Sequence, residues 1–143
     1  MKPVEQTIMH DQEKGVIGNC FQACIASLLE IPLEEVPHFV EGNQDAYFWR
    51  KELNVWLAPR GLSFVEIWCP NLANFRWYAD EQLANVGYYV LSGPSPRQKN
   101  VEHAVIAKGG EIVFDPHPSK AGLADGDDYR WIGLMIDRCG TSP

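Results

Sequence analysis

No apolar run in the chain approaches the roughly 18 to 20 residues that cross a bilayer as a helix, and the opening residues 1–6 carry no apolar stretch of signal-peptide length. Both absences predict a cytoplasmic protein without a membrane partner. Basic charge is also scarce: twelve Lys and Arg stand against nineteen Asp and Glu, a net charge of -7 and a pI near 5.0. A phosphate backbone is held by clustered Lys and Arg. The basic residues here are scattered, which argues against a nucleic-acid partner. Cysteine is limited to positions 20, 24, 69 and 139, without the paired C-x-x-C spacing of structural zinc sites. Cys20 and Cys24 lie one helical turn apart, a poor geometry for a bridge. The four are read as free thiols, with no metal and no other cofactor implied. No internal repeat and no linker divides the 143 residues, so a single domain over residues 1–143 is expected.

What the chain does contain is apolar surface, with 45% hydrophobic residues and five tryptophans, enough to offset the entropy of ordering one core. Residues 3–9 read as a short strand or extended arm and residues 10–15 as a loop. From Asn19, the positions Phe21, Cys24, Ile25, Leu28 and Leu29 repeat at i, i+3, i+4, i+7 and i+8, the stripe of a core-facing helix. Asn19 is a favoured N-cap type and Pro32 the expected stop. A helical turn is expected over residues 33–36. A second helix is expected over residues 44–58, its aromatic residues packing over the first and its end set by Pro59 and Gly61.

Beyond Gly61 the pattern turns to β. Strands are expected over residues 62–68, 87–91, 102–107, 111–115 and 129–136, with a short helix over residues 79–85. Residues 92–96 read as an exposed polar loop, and residues 116–128 as a second loop. Lys108-Gly109-Gly110 is the tight turn of a hairpin between two of the strands. Helices first and antiparallel strands after predict an α+β fold, its sheet packed on the cysteine-bearing helix.

Cys20 stands in the first turn of that helix, where backbone N–H groups without intrahelical partners carry partial positive charge and favour a thiolate. A cysteine nucleophile needs a base, usually His, and a third group that orients the imidazole. His103 opens one hairpin strand and Asp115 closes the other, so the turn brings them side by side. His117 is the rival base, its loop position suiting a substrate-side or surface residue, as do those of His10 and His38. Cys24, Cys69 and Cys139 read as small buried hydrophobes.

Gly18-Asn19-Cys20-Phe21 opening a helix, followed by His103-Ala104-Val105-Ile106 and Ile112-Val113-Phe114-Asp115-Pro116, resembles the papain-like cysteine peptidases. The closest likeness is to the small bacterial and phage members related to bacteriocin-leader peptidases. The Gly-Asn-Cys-Phe run is also similar to the cysteine motif of ovarian-tumour-type deubiquitinases, although Ile17 stands where that family usually has Asp. The resemblance implies a cysteine on the first long helix and a His and an Asp on the sheet. It also implies an upstream glutamine whose amide joins the Cys20 N–H in an oxyanion hole. Gln6 and Gln12 are the two candidates, and Gln6 is preferred because its run can be held as a strand.

The expectation is thus a cysteine hydrolase, a peptidase or amidase with the triad Cys20, His103 and Asp115, acting on a peptide or protein through a thioester. A glutamine deamidase, an acyl transferase and an inactive interaction protein on the same fold are the alternatives.

Overall fold

Strand-favouring residues build a five-stranded sheet, antiparallel throughout, in the order β1-β5-β2-β3-β4. The structure is a computed structural model and describes residues 1–42 and 45–139. The strands are β1 (Leu62–Cys69), β2 (Tyr89–Pro94), β3 (Glu102–Lys108), β4 (Glu111–Phe114) and β5 (Arg130–Asp137). Helices α1 (Cys20–Leu29) and α2 (Ala46–Leu57) cover one face, and the short α3 (Leu72–Arg76) covers the other. Successive strand side chains point to opposite faces. Val90, Ala104 and Ile106 accordingly meet Phe21, Cys24, Ile25, Leu53 and Leu57, whereas Tyr89, Leu91, Val105 and Ala107 meet Phe75, Ala79 and Leu83. Strands covered on both faces read as continuous apolar runs, as β3 does. The architecture is α+β, with the sheet against the helix that begins at Cys20.

The N-terminal residues 3–9 form an extended arm that runs along α1, outside the sheet. Lys2 N–H donates to the Ser27 carbonyl at 3.0 Å, and Val4 N–H donates to the Ser27 hydroxyl at 2.9 Å. The arm is fixed at its other end by Asn19. Instead of capping α1 with its side chain, Asn19 accepts from Thr7 N–H at 3.0 Å and Ile8 N–H at 2.8 Å, and donates to Thr7 Oγ1 and Gln22 Oε1. A cap would have satisfied a helix N–H; the clamp satisfies arm groups that have no sheet to pair with.

Several boundaries differ from expectation. Helix α1 ends at Leu29, before Pro32, because Glu30 adopts a left-handed conformation (φ 58°, ψ 41°) and its N–H donates to the Ala26 carbonyl. Its carboxylate accepts from the N-terminal ammonium at 2.8 Å. Residues 79–85 are not a separate helix: α3 starts earlier, capped by the Asn71 side chain, and widens into a π turn over Trp77–Gln82. Buried Phe75, Ala79 and Leu83 recur every four residues, a repeat that suits a turn wider than 3.6 residues. Ser92, Gly93 and Pro94 are not an exposed loop but the end of β2, paired with Ala104, His103 and Glu102. Cys139 is exposed rather than core. In α2, Trp49 meets Phe21 of α1 at 4.9 Å, while Tyr47 and Phe48 are exposed. Residue 44, the expected start of that helix, lies outside the described residues.

The Asn19 clamp generates a stability prediction. Asn19→Ala leaves the Thr7 and Ile8 N–H groups without their acceptor, at a cost of roughly 2 kcal/mol or more. Urea denaturation should record that loss as a lower midpoint with an unchanged slope.

Candidate active site

Cys20 is the first residue of α1, so its N–H has no intrahelical acceptor. The turn leading to it is crowded. A Cβ on Gly18 would lie 2.8 Å from the His10 backbone nitrogen, so only glycine lets residues 10–18 fold back this tightly. Asn19 N–H then donates to the Ile8 carbonyl at 3.1 Å, which sets the arm beside Cys20.

His103 and Asp115 are brought together by a feature of the hairpin that neither turn nor strand signals reveal. The pairs Lys108↔Glu111 and Ala107↔Ile112, continued regularly, would put Asp115 opposite Ala104, with its side chain on the face away from His103. A bulge between Ile106 and Ala107 shifts the register to Ile106↔Phe114. The extra residue reverses the alternation, and Asp115 follows Phe114 on the side His103 occupies. His103 Nε2 donates to Asp115 Oδ1 at 2.7 Å, with both side chains 4% exposed. Because Nε2 is committed to Asp115, Nδ1 is the ring nitrogen not engaged by the carboxylate, and Cys20 lines the same cleft.

Asp115 is itself immobilised. Its Oδ1 also accepts from His117 N–H at 2.9 Å, and its Oδ2 accepts from Gly122 N–H at 2.7 Å. Gly122 has a positive φ of 72°, a conformation glycine adopts without strain. Lys120 Nζ donates to the Asp115 carbonyl at 2.7 Å and pairs with Glu5 of the arm. Gln6 N–H donates to the Pro116 carbonyl at 3.0 Å. The arm therefore lies between the cysteine helix and the aspartate loop and is bonded to both.

These contacts set the electrostatics. Burial alone would push the His103 imidazole down, but hydrogen bonds to Asp115 and Cys20, and the charges of both, raise its pKa from 6.5 to about 9. Burial would raise the Asp115 carboxyl; hydrogen bonds from His103, His117 N–H and Gly122 N–H overcome it and hold the carboxyl below its usual range. The neighbouring thiol is different in kind. Burial pushes Cys24 well above the ordinary thiol value, and Cys20 and Asp115 push it further.

Cys20 and His103 open onto a cleft of about 320 Å³, whose walls include Gln6, Trp49, Arg50 and Trp131. Gln6 is 6% exposed; its Nε2 donates to the Ile8 carbonyl at 2.9 Å, and its Oε1 is buried without a partner. Gln12 lies outside this cleft, on a neighbouring depression with residues 98–100. His117 does line the cleft, with its ring centroid 6.0 Å from that of His103, but its Nδ1 is taken up by Ser119. Burial, followed by the Arg97 and His103 charges, pushes its imidazole down. His10 also lines the cleft, and His38 Nε2 donates to the Ile17 carbonyl at 3.1 Å.

Sequence reasoning missed the Asn19 clamp, the Gly122 and Lys120 contacts to Asp115, and the wall formed by Trp49, Arg50, Glu66 and Trp131. For Gly122 a signal was present, a glycine soon after Asp-Pro in a turn-rich loop. Among the described residues no group of three or more His, Cys, Asp or Glu is arranged to hold a metal ion, and no helix is long and apolar enough to cross a membrane. Comparison with protein-family models, curated proteins and solved structures finds no match.

The coupled pair makes stability depend on pH with a defined sign. The folded state keeps a proton on His103 that the unfolded chain releases above 6.5, so this contribution is fully present below that pH and is lost as pH rises through about 9. Asp115 acts oppositely: its contribution is present above the ordinary value of 3.8 and is lost as pH falls through its lowered folded value. Urea midpoints measured from pH 6 to 10 should decline between about 6.5 and 9 and level off above, and His103→Gln should flatten the decline.

Proposed function

We propose that the protein is a cysteine hydrolase of the papain-like kind, a peptidase or amidase whose nucleophile is Cys20. The observation that carries this reading is the buried 2.7 Å bond from His103 Nε2 to Asp115, with Cys20 and the same imidazole lining one cleft. An imidazole held charged by a buried carboxylate, in one cleft with the first residue of a helix, is the arrangement a nucleophilic cysteine uses.

In the proposed cycle the Cys20 thiolate attacks the carbonyl carbon of an amide. The oxygen that becomes negative is met by the Cys20 N–H and by the Gln6 carboxamide, which has a second N–H besides the one given to Ile8. His103 then delivers its proton to the leaving nitrogen as the C–N bond breaks, and a thioester remains on Cys20. Water attacks the thioester with His103 as base, the carboxylic acid departs, and the thiolate is restored beside the imidazolium. Asp115 keeps the imidazole in one orientation throughout and stabilises its charged form.

Cys20 and the His103–Asp115 pair lining one cleft, with Cys20 among the groups that raise the His103 imidazole, favour this reading over a non-enzymatic interaction protein, which has no use for a thiol beside a charged imidazole. Trp131 lines the cleft, and beside it lies the half-exposed Trp68, its ring centroid 4.7 Å from that of Trp131 and tilted against it. An exposed aromatic surface beside the cleft supports an extended substrate over the single glutamine side chain of a deamidase.

The chain supplies its own control for a reactivity test, because Cys139 is an exposed free thiol while Cys24 and Cys69 are buried. Iodoacetamide at pH 7, read by peptide mass mapping, should alkylate Cys20 at least about tenfold faster than Cys139. His103→Ala should bring Cys20 down to the Cys139 rate. Equal rates in the unsubstituted protein would sink the proposal.

A further inference from the structure

The far wall of the cleft is made of aromatic rings and carboxylates, and it already holds one cation. The Arg50 guanidinium carbon lies 5.1 Å from the Trp49 ring centroid and 4.9 Å from that of Trp131. The same guanidinium pairs with Glu66. Aromatic faces attract cations through their quadrupole, most strongly where water is partly excluded, so this surface has the chemistry to bind a guanidinium or an ammonium.

The aromatic surface continues where Arg50 does not reach. Trp131 and Trp68 are directly paired across β5 and β1, with ring centroids 4.7 Å apart, and Trp68 meets Tyr129 at 5.3 Å. Trp68 is 46% exposed. In register, Trp68 pairs with Trp131, Trp131 with Ser92, Ser92 with Ala104, and Pro94 with Glu102. Cross-strand partners and residues two apart on a strand share a face. Glu66, Trp68, Trp131 and Glu102 therefore stand on one face, the one that floors the cleft beside Cys20.

The local charges agree with this placement. Burial raises the Tyr129 hydroxyl to about 12, and the Glu102 carboxylate adds to the shift together with Asp128. Burial pushes the Glu66 carboxyl up against the pull of Arg50, and Glu102 pushes it the same way. Arg130, whose charge acts on Tyr129, turns its guanidinium to the Tyr129 and Ala124 carbonyls. The whole chain carries a net charge of -7.

We infer that the surface formed by Trp131, Trp68, Tyr129 and Glu102 is a subsite for a lysine or arginine side chain of the substrate peptide, seated as Arg50 is seated between Trp49 and Trp131. This deepens the proposed hydrolase reading by naming a substrate class, basic peptides, and it rests on that reading for the word substrate. The binding itself does not depend on catalysis.

The test uses full-length protein carrying Cys20→Ala, so that binding is read without turnover. Three peptides, acetyl-Ala-Ala-Xaa-Ala-Ala-amide with Xaa arginine, norleucine or glutamate, are titrated by calorimetry and tryptophan fluorescence, with chitotetraose as a fourth ligand. The arginine peptide should bind about tenfold tighter than the other two. Adding Glu102→Gln or Trp68→Ala should remove most of that advantage, with circular dichroism unchanged because both side chains are exposed. Equal affinities, no binding of any peptide at millimolar concentration, or an advantage that survives both substitutions would overturn the inference. So would chitotetraose binding that Trp68→Ala weakens while the peptides do not bind, which would mark the surface as a sugar platform. Loss of Cys20 reactivity toward iodoacetamide in the unsubstituted protein would instead count against the hydrolase reading and leave the binding result standing.

Discussion

A buried imidazole held to a buried carboxylate at 2.7 Å is the constraint around which the described structure is arranged. Removing either charge from water is costly unless the partner and the remaining lone pairs are satisfied. The chain satisfies them with backbone. His117 and Gly122 donate N–H groups to the same carboxylate, and Lys120 ties its carbonyl to Glu5 of the N-terminal arm. The loop after β4 folds around one side chain, and the arm is drawn in with it.

The arm connects this pair to the cysteine. Gln6 N–H reaches the Pro116 carbonyl beside Asp115, and two residues later the Asn19 side chain takes the Thr7 and Ile8 N–H groups at the start of α1. A segment outside the sheet thus fixes the distance between the helix carrying Cys20 and the loop carrying Asp115. The same segment places Gln6 in the wall of the cleft. Local hydrogen bonding, packing and the proposed chemistry all rest on this one connection, which is the kind of support a site needs to be held to within a fraction of an ångström.

The sequence displays part of this. Helical periodicity in residues 21–29, the Gly109-Gly110 turn and the strand-favouring runs make the α+β order and the His103–Asp115 hairpin readable, because each depends on neighbours a few positions away. The bulge at Ile106 and Ala107 is not readable: it adds one residue with no composition signal, yet it decides which face Asp115 occupies. Asn19 looked like a cap because its type fits the position, and the competing acceptor role came from an arm that only tertiary structure brings near. Ser92 to Pro94 looked like a loop from their turn-forming types, whereas pairing with β3 along the whole stretch, and with β5 at Ser92, holds it as strand. Long-range pairing overrode local propensity there, as it commonly does in sheets.

The account stands on Cys20, His103 and Asp115 acting as one electrostatic unit, and the His103 ring reports on that unit directly. Its titration followed by NMR should show a midpoint of about 9 in the unsubstituted protein. In the Cys20→Ala variant, which retains Asp115 but lacks the neighbouring sulfur, the midpoint should fall by about one unit or more. A midpoint near the ordinary 6.5 in the unsubstituted protein, or one that does not move when Cys20 is removed, would contradict the account.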